Sequence, residues 1–214
     1  MDPPECSGHS HDHDHGDELG MSLRPQMDLP NVECLNEEVQ NSGRAILKLH
    51  EERLTAEPSL RSPADDPELL LKIPFTEAVT IQSISVRSSG TSDDTAAPKT
   101  IKLFVNRDNL DFDTARELEP QGKLELLPSH HFEQGSIDYP LRPAGRFQSV
   151  SSLTIYFQDN YGDNEEIATE ITFVGLKGKG SNVKRQAVET VYESRGMLSD
   201  HKVPGEEFGG REFL

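Results

Sequence analysis

Tryptophan is absent from the 214 residues, and only four tyrosines and two cysteines occur. Sugar sites usually pair an aromatic platform with polar groups, so this scarcity counts against carbohydrate. Cys6 and Cys34 have 27 residues between them and no C-x-x-C exists, which removes a dithiol couple. No disulfide is expected, and so sparing a use of cysteine points to a reducing compartment, cytoplasm or nucleus. The chain also lacks an apolar run of 18 residues, an apolar leader and an N-x-S/T acceptor, so neither a membrane span nor secretion is expected. Basic residues are scarce at the start: ten acidic residues stand against Arg24 alone in the first forty, giving −9 of the total −17. That charge repels phosphate backbones and anionic leaflets, so neither nucleic acid nor membrane is an expected partner. Basic protein surfaces remain open.

The residues AVILMFWYC make up 33%, and the 16 glycines raise the figure to about 40%, below the roughly 45–50% of ordinary domains. Part of the chain is therefore expected to lie outside any core, and the length suits one domain with tails. Residues 1–29 read as a disordered acidic tail, because "CSGHSHDHDHGDELG" cannot bury enough apolar area to offset its ordering entropy. Residues 30–193 read as the folded domain, and residues 194–214 as an extended or disordered C-terminal tail. Removal of Met1 to Leu29 is accordingly expected to leave the fold intact.

Within the domain, "SGRAILKLHEERL" offers a short helical or extended stripe at Ile46, Leu47, Leu49 and Leu54. "PADDPELLLKIPF" reads as a loop and an apolar run bounded by Pro74. Thereafter the period is two. "VTIQSISVR" alternates with a phase change near Gln82 and Ser83, the sign of a bulge or a face switch. "KTIKLFVN" places Ile101, Leu103 and Val105 on one face, "SSLTIYFQ" does the same with Leu153, Ile155 and Phe157, and "EITFVGLKG" with Ile171 and Phe173. Weaker strands are expected near Leu124, near Ile137 and within "KRQAVETVYE". A helical turn is expected at "FDTARELEP", capped by Asp113 or Thr114. Short alternating strands separated by polar loops, without regular intervening helices, predict an all-β antiparallel sandwich.

Candidate chemistry is sparse. His9, His11, His13 and His15 alternate with acids, so an extended chain could turn four imidazoles to one side as weak ligands for Zn or another transition metal. Their spacing does not match a closed structural zinc site, and no resident cofactor is expected. "SHHFEQG" sets His130, His131 and Glu133 beside Ser129, but the G-x-S-x-G elbow of a hydrolase is missing. "GLKGKG" reverses the glycine order of a dinucleotide fingerprint, and Gly175, Gly178 and Gly180 are better read as bends or strand ends. "QDNYGDNEE" gathers Asp159, Asp163, Glu165 and Glu166, oxygen enough for Ca²⁺ but not an EF-hand loop. A small-ligand or cation site would use the end loops Thr91 to Ala97 and Asp159 to Glu166. Cys34 sits among Glu33, Glu37 and Glu38, which raise rather than depress a thiol's pKa. Val32 and Leu35 are read as its anchors and Asn36 as a turn former. An enzyme would have to rest on Cys34 or on His130 and His131; none is expected.

The words "VECLNE", "SGRAILK", "DDPELLLKIPF", "IKLFVN", "FDTARE" and "FVGLKG", in this order, resemble the PITH domain, over about Asn31 to Glu193. With its His-rich start the chain is similar to the shorter, thioredoxin-free members of that family. The resemblance implies a galactose-binding-like jelly-roll β-sandwich and, from the thioredoxin-linked relatives, docking on the regulatory particle of the 26S proteasome. The thioredoxin domain is missing here, so no reductase activity carries over. A non-enzymatic, monomeric protein-interaction module is the function expected, with a small-ligand or metal-binding sandwich as the alternative.

Overall fold

The computed structural model describes residues 20–89, 92–107, 109–128, 137–162 and 167–181. Its strands are β1 (Met21–Ser22), β2 (Glu33–Leu35), β3 (Leu60–Arg61), β4 (Leu69–Arg87), β5 (Thr95–Ala96), β6 (Thr100–Val105), β7 (Gly122–Glu125), β8 (Asp138–Pro140), β9 (Val150–Phe157), β10 (Ala168–Ile171) and β11 (Phe173–Gly180). Two short helices, α1 (Ser42–Ala45) and α2 (Phe112–Glu117), interrupt them. The expected all-β antiparallel sandwich is what forms.

β4 organises it. The apolar run at Leu69 does not stop at Pro74; it continues for 19 residues. Its first half lies between β2 and β9, with β6 and β7 beyond β9, while its second half lies between β8 and β11, with β1 beyond β11. One strand thus belongs to both layers. The change of layer is visible in the register with β9, where Pro74 faces Ser152 and Val79 faces Val150. β4 advances five residues while β9 retreats two, and the surplus forms the bend at Phe75–Ala78. Leu69, Leu71 and Ile73 before the bend and Ile81, Ile84 and Val86 after it meet in one core with Ile101, Leu103, Leu153, Ile155 and Phe157.

The expected phase change at Gln82 is a bulge. Lys177 faces Ser83 and Gly178 faces Ile81, which leaves Gln82 as the extra residue and moves the inward set from Val79 and Ile81 to Ile84 and Val86. Opposite the bulge the chains close so tightly that a Cβ on Gly178 would lie 2.0 Å from the Thr80 carbonyl oxygen. The smaller sheet, β3–β10–β5, contains the parallel pair β10/β5.

Other expectations are corrected. Ile171 is in the core, but Phe173 is not on the same face: the chain bends at Thr172, and Val174 and Leu176 point inward instead. The α2 cap is Asp111, whose Oδ1 accepts the Thr114 N–H at 2.8 Å. The tail boundary at residue 29 falls too late, because Leu23 and Met27 are 1% and 6% exposed, β1 pairs with β11, and Met27 bridges Phe75. Residues 1–19, "KRQAVETVYE" and the C-terminal tail lie outside the described residues.

A second, outer cluster was not visible in the period. α2 lies over the outside of the sheet, where Leu70, Phe104, Ala115 and Tyr156 are buried together. The Phe112 ring meets that of Tyr156 edge-on at 6.3 Å. The Tyr156 hydroxyl donates to Glu68, which also holds Arg116, and Arg116 returns to Asp113 at 2.8 Å. Lys102 donates to the Ala115 and Arg116 carbonyls at 3.2 and 2.8 Å, giving α2 a cation at its C-terminal end. Burial would raise the Glu68 pKa, but hydrogen bonds from Arg116 and Tyr156 and the charges of Arg116 and Lys102 outweigh it and hold the carboxyl below its ordinary value.

Two predictions follow from this packing. Deleting residues 1–29 removes two buried side chains and costs about 3–6 kcal/mol, a large share of a domain's roughly 5–15 kcal/mol; chemical denaturation of the truncated protein measures it. Because the Glu68 pKa is depressed by folding, its contribution is present above the unfolded value near pH 4 and lost as pH falls through the folded one. Glu68→Gln therefore lowers the melting temperature at pH 7, and the gap to wild type closes below about pH 4.

Candidate functional site

The stretch Asn31 to Leu47, where a thiol stands among polar residues, folds as a clasp across the end of β4. β2 pairs Cys34 with Leu71 and Leu35 with Leu70. Asn36 follows with φ 67°, a left-handed conformation that asparagine tolerates, and its Nδ2 donates 2.8 Å to the Glu68 carbonyl, 32 residues away. The Glu37 carboxylate turns back on the start of α1, accepting the Asn41 and Gly43 N–H groups at 2.6 and 2.8 Å and the Ser42 hydroxyl at 3.3 Å. Gly43 is required by close approach: a Cβ there would lie 2.5 Å from the Cys34 Cβ.

This geometry withdraws Cys34 from nucleophilic chemistry. The thiol is half-buried and free, and among the described residues its Sγ reaches only the Leu35 carbonyl, at 3.7 Å. Burial first, and the Glu37 carboxylate second, push its pKa far above the ordinary thiol value. Of the expected anchors, Val32 is buried, but Leu35 is 43% exposed and is corrected to a surface residue.

The remaining candidates divide. His9, His11, His13, His15 and Cys6 lie outside the described residues, as do Ser129, His130, His131, Glu133, Thr91, Asp163, Glu165 and Glu166. The two end loops are brought together: Tyr161 N–H donates to the Ala97 carbonyl at 2.9 Å, and Ala168 N–H to that of Asp94 at 3.1 Å. Asp159, however, holds the start of β6 through the Thr100 N–H at 2.7 Å and hydroxyl at 3.2 Å. Among the described residues no three His, Cys, Asp or Glu side chains converge on a metal position.

What the clasp does present is surface. Of the six exposed large apolar side chains among the described residues, Leu35 and Val39 fall within it and Leu49 and Leu54 in the loop that follows, which marks this region over the rest. A cleft of about 500 Å³ opens on one side of α1, between Val39 and Pro58, with Glu38, Glu57 and Arg61 around it. A second, of about 370 Å³, opens against Arg24, Arg44 and Lys48. Both are walled by Ala45, Glu57 and Pro58, so they adjoin. The clasp is held to the smaller sheet by the Glu38 N–H, which donates to the Arg61 carbonyl at 2.9 Å, and within that sheet the Arg61 side chain binds Glu170 through Nε and Nη2 at 2.9 and 2.7 Å. Sequence reasoning missed these residues, because isolated Arg, Lys and Pro carry no spacing signal.

Removing the Glu37 carboxylate leaves three donors at the start of α1 without their acceptor. Glu37→Ala is expected to cost about 1–3 kcal/mol and to speed alkylation of Cys34 by iodoacetamide, both measurable on the purified protein.

Comparison with known proteins accords with this geometry. The PITH domain family model matches residues 13–196, beginning well ahead of residue 30, in keeping with the buried Leu23 and Met27. PITH domain-containing protein 1 of Dictyostelium discoideum is 34% identical over 198 residues, covering 92% of this chain and 93% of that one. Its human namesake is 31% identical over 203 residues, covering 94% and 86%. Among solved structures, an F5/8 type C domain of a Bacteroides fragilis protein superposes with a TM-score of 0.53 at 13% identity, covering 76% of this chain and 98% of that one. That likeness concerns the fold alone, a galactose-binding-like jelly roll. The breadth of the family match and of both relatives, each above 30% identity, places the chain in the PITH domain family.

Proposed function

We propose that the protein is a non-enzymatic protein-interaction module of the cytoplasm or nucleus, and that its partner is the regulatory particle of the 26S proteasome. The observation that carries the interaction role is the set of exposed apolar side chains in the clasp and the loop after it, Leu35, Val39, Leu49 and Leu54, with Val39 lining one of the two adjoining clefts. An exposed patch of this kind, rimmed by charge, is where association with another protein removes apolar surface from water. The chemistry of the clasp supports the same role. Its thiol is shielded, and the carboxylate and amide next to it, Glu37 and Asn36, are engaged in holding the backbone. The proteasome as partner rests on the family resemblance and not on any contact seen here.

Val39 is 65% exposed, so Val39→Glu is expected to leave the melting temperature unchanged. Purified 26S proteasome should retain the wild-type protein on a native gel and bind this variant at least about tenfold more weakly, a loss of about 1.4 kcal/mol. Absence of any complex at low salt would remove the proteasome as partner; equal binding of both proteins would move the interface off the clasp.

A further inference from the structure

The cleft against Arg24, Arg44 and Lys48 differs in character from the rest of this acidic chain. Its floor is apolar, formed by Leu29, Leu47 and Pro58, and three cations stand around it. Each retains unused donors. Lys48 is 7% exposed, yet among the described residues its ammonium makes one hydrogen bond, to the Thr55 carbonyl at 3.0 Å, leaving two of three donors for another acceptor. Arg24 uses Nε on the Leu47 carbonyl at 2.8 Å, and its terminal nitrogens have no hydrogen-bond partner among the described residues. Arg44 is exposed, and its side chain has no hydrogen-bond or ion-pair partner among the described residues.

Burying an ammonium without full pairing is costly, and an incoming acceptor would relieve that cost. The charge of the cleft says which acceptor. Glu52 and Glu57 also line it, so three cations against two carboxylates leave one net positive charge. That matches a single carboxylate. A phosphate dianion would meet the two glutamates at close range with too little compensation. The apolar lining suits an aliphatic or aromatic neighbour of that carboxylate, and Leu49 and Leu54 are exposed on the loop that supplies Lys48, Glu52 and Thr55.

We propose that this cleft receives an acidic peptide segment of a partner protein, taking one Asp or Glu carboxylate between Arg24, Arg44 and Lys48 and an adjoining apolar side chain against Leu29, Leu47 and Pro58. The proposal rests on the protein-interaction reading and adds the chemistry of what is recognised. It also explains how a chain of net charge −17 can engage an acidic segment: the local charge at the cleft, and not the total, decides the contact once the charges lie within a Debye length of about 8 Å.

Selection from a random peptide library displayed on phage, against the immobilised full chain, tests it. Peptides enriched on the wild type should carry Asp or Glu next to Leu, Ile or Phe. Their synthetic versions should lose at least tenfold in affinity on Arg44→Glu, and on replacement of the acid by its amide. Because Arg44 is exposed and unpaired, the variant should melt as the wild type does; Arg24→Gln provides a second, milder loss. Enrichment without acidic preference, or equal affinity for Arg44→Glu, would overturn the proposal, as would tighter binding of a phosphoserine version, which would make this a phosphate site. The result is separable from the proteasome assay. Acidic peptides bound without proteasome would strike the partner and keep the cleft, whereas proteasome bound equally by Arg44→Glu without peptide selection would strike the cleft and keep the partner.

Discussion

Everything in this fold hangs on the hydrogen bonding of one strand. β4 is paired along most of its 19 residues, on both edges at 70–72 and 83–85, and those neighbours belong to different layers in its two halves. A buried backbone group left without a partner costs as much as a lost hydrogen bond, so each layer is held in register with the other through the bend at Phe75–Ala78. The Gln82 bulge adds the twist that lets β11 and β8 follow the second half, and Gly178 is the residue that tolerates the resulting approach. Changes at the bend or the bulge therefore act on both layers at once.

The clasp is secured to that strand by polar groups that in other settings would suggest catalysis. Asn36 fixes the carbonyl just before β4, Glu37 closes the start of α1, and Gly43 makes room for Cys34. The same contacts account for an inert thiol and for an exposed outer face, since the side chains that face inward are engaged and those left over, Leu35 and Val39, have nothing to pack on. Structural necessity and a recognition surface are two sides of one short segment.

Charge is distributed with the same economy. The chain is strongly acidic overall, yet Arg24 from before the clasp, Arg44 from α1 and Lys48 from just after it surround one cleft. On the outside of the sheet, Glu68 is set among Arg116, Tyr156 and Lys102, and there the cations hold α2 down, Arg116 through Glu68 and Asp113 and Lys102 through the Ala115 and Arg116 carbonyls. The contrast between engaged and available cations separates a packing device from a surface able to bind.

Much of the architecture was legible in the residues themselves. Alternation at Ile101, Leu103 and Val105 and at Leu153, Ile155 and Phe157 reports a face turned to a core, and the break at Gln82 reports a bulge, because the strand period of two is a local property of the backbone. The order of the words from "VECLNE" to "FVGLKG" pointed to the family. Tertiary structure decided what depends on distant partners. Phe104 and Tyr156 lie on the outward phase and are buried only because α2 covers them. Leu23 and Met27 stand in a polar, acidic context and are core residues only because β11 and Phe75 receive them. Asn36 and Glu68 are 32 residues apart, Arg61 and Glu170 109. Local pattern records which face of the backbone is apolar; which polar groups meet, and which cations remain without a partner, is fixed only when the chain closes on itself.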